Sequence, residues 1–307
     1  MALRKTGLAL PLLLLWALFV IAPAMSLAQS IPTDFAEVSF ASDHRDGAVI
    51  KGYLSRAPKP SALQEGKEPI AIALHGCGGL WTSRGDLGKR YRDYRDWFHE
   101  RGIGMLLVDS FAPRGKPQGV CTEKLANRSI VPADRRMDVQ GAVRWLSTQA
   151  WVDSSRLLVF GWSHGGSTTL WSIERAQAWP SDIPELKAAI AFYPGCTPAS
   201  QNSNYTLQIP LLLMIGEADD WTPAAPCIRF HEQQQAKLAQ AGLDKSRFQF
   251  KLYPDAHHGF DSFNKLQLRA DVPNGVNRGR GVTTGGNPSA YQDALSTMDR
   301  FLKQYFF

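Results

Sequence analysis

The sequence lacks several features that define specialised classes of protein. It has no run of lysine or arginine and no alternation of basic with aromatic residues, so nothing in it favours a nucleic-acid partner. It contains no CxxC and no HExxH pattern, which argues against a zinc site. We therefore expect no metal and no cofactor. No internal repeat and no break in composition divides the chain, which indicates one domain.

A long apolar run occurs only near the N-terminus. Basic Arg4–Lys5 precede the apolar stretch Leu8–Ala22, and small residues follow at Ser26–Ala28. This order is typical of a secretory signal peptide, so we expect residues 1–28 to be removed and residues 29–307 to form the domain. A membrane anchor is the alternative, but the stretch is short and two prolines lie in or beside it. Gln29 stands where a lipoprotein would need cysteine.

The composition is that of an ordinary globular protein with a mild positive charge. The chain has 34 basic and 28 acidic residues, and loss of the two basic residues of the signal peptide leaves a net charge of +4. An exported chain would be periplasmic or extracellular and would contact no membrane after cleavage. The sequence does not indicate an oligomeric state.

Apolar runs alternate with amphipathic segments along the rest of the chain. Five near-continuous runs predict strands buried on both faces: Pro69–Leu74, Gly104–Asp109, Arg156–Phe160, Lys187–Phe192 and Pro210–Ile215. Three further strands are predicted at Phe35–Phe40, Ala48–Leu54 and Phe248–Tyr253, the first two antiparallel. Apolar residues recur at helical spacing in 87–98, 139–150 and 291–305. The pattern predicts an α/β fold with a mostly parallel eight-stranded sheet flanked by helices. Glycine-rich Asp271–Asn287 is predicted to be a surface loop.

One serine stands in a turn that is associated with nucleophiles. Gly161–Gly165 reads G-W-S-H-G and directly follows the fifth predicted strand, and residues 166–176 after it favour a helix. A strand, a sharp turn and a helix around G-x-S-x-G expose the serine hydroxyl above the sheet. Ser163 is therefore the candidate nucleophile. A serine hydroxyl needs a histidine as base and an acid that orients this histidine, in the chain order serine, acid, histidine.

Several residues compete for the two remaining roles. His164 is fixed in the turn and His231 lies in a predicted helix, which leaves two histidines after the last strand, His257 and His258. The acid should follow the preceding strand, where three candidates stand: Glu217, Asp219 and Asp220. Loops at the carboxyl ends of parallel strands are where α/β sheets bind ligands.

The chain resembles the dienelactone hydrolase family of α/β-hydrolases over about residues 45–305. The motifs that carry the resemblance are His75–Gly79, Gly161–Gly165, Gly216–Pro223 and Tyr253–Phe260. The family's acid stands three residues after the glycine and four before the proline, and its histidine stands directly before Gly-Phe. The resemblance therefore implies the triad Ser163, Asp219 and His258, and leaves His257 to cap or support the loop.

The chain departs from this family at the nucleophile. The name-giving members carry cysteine at the turn, where this chain has Ser163. Because serine depends more on deprotonation by histidine than a thiol does, the change favours ester hydrolysis and puts the family's lactone specificity in doubt.

The loops after the strands supply further candidates. Negative charge on a tetrahedral intermediate needs two donors, which we expect to be the backbone N–H groups of His164 and Cys77. The four cysteines follow the third, fourth, sixth and seventh strands, and this order predicts the disulfides Cys77–Cys121 and Cys196–Cys227. A nucleophilic role for Cys77 or Cys121 is the weaker alternative.

Aromatic residues at the same edge are candidates for a substrate pocket, with a place in the core as the alternative for each. They are Trp81, Trp162 and Trp221, together with Phe111 and Tyr193. Arg114 is a candidate for binding a substrate carboxylate, and a solvated arginine is the alternative.

We therefore expect a secreted serine hydrolase that cleaves a small-molecule carboxylic ester or lactone through an acyl-enzyme. A peptidase or an acyltransferase on the same fold is the first alternative, because pocket shape selects the leaving group and the acceptor. A non-catalytic binding protein that keeps the fold is the second.

Overall fold

The computed structural model describes residues 29–59, 66–175, 177 and 179–307. The expected signal peptide, residues 1–28, lies outside the described residues. In the part of the chain that is described, no helix is both long and apolar enough to cross a membrane.

Among the described residues, eight strands form the main sheet, in the order β1-β2-β4-β3-β5-β6-β7-β8. They are β1 Ala36–Ala41, β2 Val49–Ser55, β3 Glu68–Leu74, β4 Gly104–Asp109, β5 Val152–Trp162, β6 Ala188–Phe192, β7 Leu211–Gly216 and β8 Phe248–Tyr253. β2 pairs antiparallel with β1 and with β4, and all other neighbours are parallel. The predicted α/β fold, the eight strands and the antiparallel opening pair are confirmed.

Six α-helices in the described ranges connect or follow the strands. They are α1 Lys89–His99, α2 Pro132–Ser147, α3 His164–Ser172, α4 Thr197–Gln201, α5 Ala224–Gln240 and α6 Pro288–Tyr305. The predicted apolar residues are buried or half-buried in α1 and α6; α6, for example, buries Tyr291, Met298 and Phe301. In the pattern 139–150 they are buried as far as Leu146, whereas α2 ends at Ser147 and Ala150 is exposed. α3 begins two residues earlier than predicted, directly after Ser163.

The core lies around the central strands. Every residue of β3, β4, β6 and β7 is buried, as their continuous apolar runs predict. Near the end of β5, Phe160 contacts the rings of Tyr94, Phe98 and Phe192. This aromatic packing supports the end of the strand that carries the candidate nucleophile.

β5 is longer than the apolar run that predicted it. The polar stretch before Arg156 belongs to the strand, because Arg156 pairs with Asp153 at 2.5 Å and neither side chain is exposed. The opposite charges compensate each other through this ion pair, so the strand continues where hydropathy alone would end it.

The segment Asp271–Asn287 is not simply the surface loop that was predicted. β10, Val282–Thr284, pairs antiparallel with β9, Gln267–Arg269, and we call residues 267–284 the ribbon. The ribbon is attached to the loop that follows β7, since Asp220 accepts hydrogen bonds from the N–H and the hydroxyl of Thr283 at 2.7 and 3.0 Å. The prediction was wrong because three-residue strands are too short for an alternating pattern and this polar attachment leaves no trace in hydropathy.

Both predicted disulfides are present. Cys77–Cys121 joins the loops that follow β3 and β4, with Cα atoms 4.9 Å apart. Cys196–Cys227 joins the segment after β6 to the first turn of α5, so Cys227 lies in a helix rather than in a loop. Both bridges fix segments at the carboxyl edge of the sheet.

Candidate active site

Ser163 occupies a sharp turn between β5 and α3. Its backbone has φ 53° and ψ −114°, a combination that L-residues rarely adopt. The flanking glycines allow this turn to pack closely: a Cβ at Gly161 would lie 2.4 Å from the backbone of Gly165, and one at Gly165 would lie 2.0 Å from the carbonyl oxygen of Leu74. The motif therefore has glycine at both positions because no larger residue fits.

The three residues of the predicted triad come together above the carboxyl edge of the sheet. His258 Nε2 lies 2.9 Å from Ser163 Oγ, and His258 Nδ1 lies 2.8 Å from Asp219 Oδ2. Ser163, His258 and Asp219 are 9, 4 and 3% exposed. They follow β5, β8 and β7, so the parallel strands carry them to one edge.

The structure separates the three candidate acids. Besides its contact with His258, Asp219 accepts backbone hydrogen bonds through Oδ1 from Trp221 and Thr222, at 2.9 and 2.8 Å. Asp220 instead holds the ribbon through Thr283, and Glu217 is exposed. Only Asp219 contacts the histidine of the site.

The other histidines are outside this relay. His257 is half-buried, and its Nδ1 has no hydrogen-bond partner among the described residues, so no bond through this atom supports the predicted capping role. The ring of His231 packs against Phe248 and Phe250. His164 is buried and lies 3.1 Å from the carbonyl oxygen of Ile130 through Nε2.

The residues predicted to supply the oxyanion donors lie beside the nucleophile. His164 is the first residue of α3, so its N–H has no acceptor within the helix. A Cβ on Gly76 would lie 3.6 Å from Ser163 Cβ, which places the loop that leads to Cys77 against the nucleophile. The carbonyl of Cys77 accepts a 2.7 Å bond from the N–H of Val120, and with the disulfide this fixes the loop.

Sequence reasoning missed Thr222, which contacts both members of the acid–histidine pair. Its Oγ1 lies 3.0 Å from Asp219 Oδ2, 3.1 Å from His258 Nδ1 and 3.0 Å from the carbonyl oxygen of Tyr193. The rings of Tyr193 and Trp221 lie 4.6 and 4.7 Å from the imidazole of His258. The one available signal was the position of Thr222, three residues after the acid in the same loop.

A second missed residue, Asp261, lies beneath the site. This buried carboxylate accepts hydrogen bonds from Tyr94, Trp162 and Tyr193 at 3.0, 2.8 and 2.6 Å. It also pairs with Arg90 at 3.1 Å. Asp261 thus connects the residue before the nucleophile with the tyrosine beside His258, and its place three residues after His258 was the only signal.

The predicted aromatic pocket is only partly formed as expected. Trp221 is half-buried beside His258, but Trp162 is 1% exposed and donates its N–H to Asp261, so its assignment to the pocket was wrong. Trp81 is buried and donates to Asp109, and Phe111 is fully buried. Trp81, Trp162 and Phe111 are thus core residues, which is the alternative that the sequence left open for each.

Arg114 is not available to a substrate carboxylate. Its guanidinium makes two 2.9 Å bonds to Asp138 and a further 2.7 Å bond to Asp46. The pairing raises the pKa of Arg114 against the effect of burial and holds the pKa of Asp46 below its ordinary value. Arg114 therefore belongs to a structural ion-pair cluster with Asp138 and Asp46, and it is not a solvated surface residue.

Two buried histidines beside the site are neutral. Burial, together with the charge of Arg135, holds the pKa of His75 and of His164 well below 6.5.

Among the described residues, no group of three or more histidine, cysteine, aspartate or glutamate side chains could hold a metal ion.

The fold and the serine–histidine–aspartate geometry together define an α/β-hydrolase. Residues 109–306 match the model of the dienelactone hydrolase family, and the chain belongs to that family.

Three relatives illustrate the similarity. The chain is 24% identical over 206 residues to "Probable 2-oxo-3-(5-oxofuran-2-ylidene)propanoate lactonase" of Bradyrhizobium sp, covering 64% of this chain and 74% of that protein. It is 26% identical over 182 residues to dipeptidyl peptidase 4 of Felis catus, covering 51% of this chain but only 22% of the peptidase. A thermophilic esterase of Thermogutta terrifontis has a similar fold, with a TM-score of 0.58 at 18% identity over 89% of this chain and 92% of the esterase.

Proposed function

We propose that the protein is an exported serine hydrolase that cleaves carboxylic esters through an acyl-enzyme. The observation that supports this most directly is the continuous hydrogen-bonded chain from Ser163 through His258 to Asp219, at 2.9 and 2.8 Å. A serine hydroxyl in contact with an imidazole that is itself held by a buried carboxylate is the arrangement that activates serine as a nucleophile.

In this mechanism His258 Nε2 takes the proton of Ser163 as its Oγ attacks the ester carbonyl carbon. Asp219 keeps the imidazole in the tautomer that carries its proton on Nδ1. The carbonyl oxygen becomes negatively charged and accepts hydrogen bonds from the N–H groups of His164 and Cys77. His258 then protonates the leaving alcohol, and it later deprotonates the water that hydrolyses the acyl-enzyme.

Small esters are the first substrates to test. The esterase of Thermogutta terrifontis has been solved with propionate and with butyrate bound, and the fold of that protein is shared at a TM-score of 0.57. The serine nucleophile favours esters over the lactone of the name-giving members. A small-molecule ester with a short acyl chain is therefore the proposed substrate class.

Export is part of the proposal. The N-terminal residues 1–28 have the order of a signal peptide, and both disulfides need an oxidising compartment to persist. We place residues 29–307 as a single domain in the periplasm or outside the cell. Mass spectrometry of the protein purified from the periplasm or medium should find Gln29 at the N-terminus; a product that retains residues 1–28 would contradict this.

The test of the activity is hydrolysis of p-nitrophenyl acetate and butyrate by residues 29–307, compared with Ser163→Ala. We expect the variant to lose about 10⁴-fold or more in kcat, because nucleophile and base act as a unit. A fluorophosphonate should label the wild type at one site and leave the variant unlabelled. A wild type that neither hydrolyses the esters nor reacts with the probe would show that the site is not catalytic.

Two pairs of neighbouring residues provide matched controls. His258→Ala should lose activity as Ser163→Ala does, whereas His257→Ala should retain it. Asp219→Asn should lose most activity because the imidazole is no longer held in the right tautomer, whereas Asp220→Asn should act mainly on the ribbon. Equal losses within either pair would mean that the triad is misassigned.

A peptidase is the second candidate, favoured by the similarity to dipeptidyl peptidase 4. Dipeptidyl p-nitroanilides, assayed beside the esters, separate the two. If the anilides are cleaved with the higher kcat/KM, the triad assignment is kept, but the bond that the protein cleaves is an amide rather than an ester. A protein that labels with the fluorophosphonate but transfers the acyl group to an added alcohol would instead be an acyltransferase.

A further inference from the structure

Arg135 lies in the first turn of α2 and is completely buried. One of its nitrogens, Nη1, makes two contacts of 2.9 Å, one to the carbonyl oxygen of His75 and one to Nδ1 of His164. The neutral imidazole of His164 accepts the bond at Nδ1 and donates from Nε2 to the carbonyl oxygen of Ile130. Both hydrogens of this nitrogen are therefore used.

The two acceptors belong to the two segments that border the nucleophile. His164 follows Ser163 directly, and its own N–H is one proposed oxyanion donor. His75 begins the loop His75–Gly79, which holds the second proposed donor at Cys77 and passes Ser163 at Gly76. A single guanidinium nitrogen thus joins the end of β3 to the start of α3, which are separated by 89 positions in the sequence.

The charge of Arg135 is not neutralised by a contacting carboxylate. Nε and Nη2 have no hydrogen-bond partner among the described residues, and the guanidinium lies over the ring of Phe111 at 4.9 Å. The nearby acids have other partners: Asp138 binds Ser42 and Arg114, and Asp109 binds Trp81 and backbone N–H groups. Burial lowers the pKa of Arg135 to about 10, which leaves it charged at neutral pH.

A buried cation without a contacting anion is costly to the fold. The same charge is useful beside a centre that becomes negative during the reaction, because electrostatic interactions are strong where water is excluded. Arg135 therefore has two properties that an oxyanion hole needs: it fixes both donor segments relative to each other, and it adds a positive charge that requires no reorganisation.

We propose that Arg135 is a positioning residue for the oxyanion hole, which sets the two backbone donors against the developing oxyanion and supports it with a fixed positive charge. This inference rests on the proposed serine-hydrolase function. It predicts that loss of Arg135 weakens binding of the tetrahedral oxyanion specifically, and not binding of uncharged ligands.

The experiment compares Arg135→Met and Arg135→Lys with wild type and with Arg156→Met. Arg156 is the matched control because it is also a buried arginine with two unpartnered nitrogens, but it lies six residues before the end of β5, about 20 Å from Trp162 along the strand. Reactive sites are counted by complete titration with a fluorophosphonate, so that kcat refers to folded enzyme only.

The main readout is the ratio of two inhibition constants, that of a trifluoromethyl ketone and that of the matching secondary alcohol. The ketone forms a tetrahedral oxyanion on the serine, and the alcohol cannot. Arg135→Met should weaken the ketone about 100-fold and lower kcat/KM by a similar factor, while the alcohol binds as before. Arg135→Lys should restore part of both losses. Arg156→Met should leave the ratio of the two inhibition constants unchanged.

Three outcomes would overturn the inference. Ketone binding by Arg135→Met could stay within threefold of wild type, ketone and alcohol could weaken equally, or Arg156→Met could show the same selective loss. If Arg135→Met does not fold, Arg135→Lys carries the test, with a selective loss of ketone binding as the supporting result and an unchanged ratio as the contrary one. A Ser163→Ala variant that keeps its activity would remove the proposed function instead, so the two failures are distinguishable.

Discussion

Thr222 supports the acid and the histidine of the site, which also bind each other directly at 2.8 Å. Its hydroxyl lies within 3.1 Å of both Asp219 and His258 and also reaches the carbonyl oxygen of Tyr193. A hydrogen bond to a charged group contributes about 1.5–3 kcal/mol. Loss of this hydroxyl is therefore expected to change the rate of ester hydrolysis measurably.

Replacement of Thr222 by valine keeps the shape and removes the hydroxyl. We expect kcat/KM for p-nitrophenyl acetate to fall about tenfold, since about 1.4 kcal/mol corresponds to a factor of ten, with Thr222→Ser close to wild type. Thr283→Val is the matched control, because it removes the equivalent hydroxyl from Asp220 instead. Equal rates for Thr222→Val and Thr283→Val would show that the Thr222 hydroxyl does not position the pair.

At the residue scale, the sequence predicted the reacting groups but not the buried side chains that hold them in place. Motif and family resemblance led to Ser163, Asp219 and His258, which the structure places in contact. Asp261 and Arg135 were missed because their partners are far away in sequence, up to 167 residues for Asp261 and Tyr94. A buried polar contact of that separation has no periodic pattern that could predict it.

The two disulfides act on different segments of the carboxyl edge. Cys77–Cys121 restrains the loop that borders the nucleophile, and Cys196–Cys227 restrains the segment after β6 against α5. Sequence separations of 44 and 31 residues predict comparable stabilisation, since the entropic contribution depends only weakly on loop length.

Removal of each bridge by paired alanine substitutions should separate stability from activity. Both Cys77→Ala/Cys121→Ala and Cys196→Ala/Cys227→Ala should lower the free energy of unfolding by about 2–4 kcal/mol. Only the first pair should also lower kcat, because it frees the loop of a proposed oxyanion donor. Urea unfolding and ester kinetics measure the two effects, and an equal fall of kcat in both variants would contradict the assignment.

Strands were predictable where consecutive residues are buried, and they were missed where polar contacts hold the strand in place. The five near-continuous apolar runs correspond to β3–β7, because a strand covered on both faces is apolar at most positions. β9 and β10 were missed since three residues cannot show a period, and the start of β5 was missed since its charges pair with each other.

The whole molecule should lose stability in mild acid because of buried neutral histidines. The pKa values of His75 and His164 are well below 6.5 in the folded protein, while the unfolded chain binds protons at these positions below about pH 6.5. The unfolded state therefore binds more protons at acid pH, and the free energy of unfolding falls as the pH falls.

The expected slope is up to about 1.4 kcal/mol per pH unit for each histidine below pH 6.5. Urea unfolding at pH 7.5, 6.0 and 5.0 measures it. His164→Asn removes one of the two groups and should reduce the dependence on pH in this range, whatever its effect on absolute stability. A free energy of unfolding that is constant between pH 7.5 and 5.0 would contradict the prediction.

The attachment of the ribbon has a consequence for engineering this protein. Two adjacent aspartates have different partners: Asp219 binds His258, and Asp220 binds Thr283 of the ribbon. In addition, the N–H of Gly285 donates to the carbonyl oxygen of His258 at 3.1 Å. Residues 277–280 at the tip are all exposed. A library that varies the length and composition of this tip should yield folded, active proteins, whereas a shift of residues 283–285 by one position would displace the base itself.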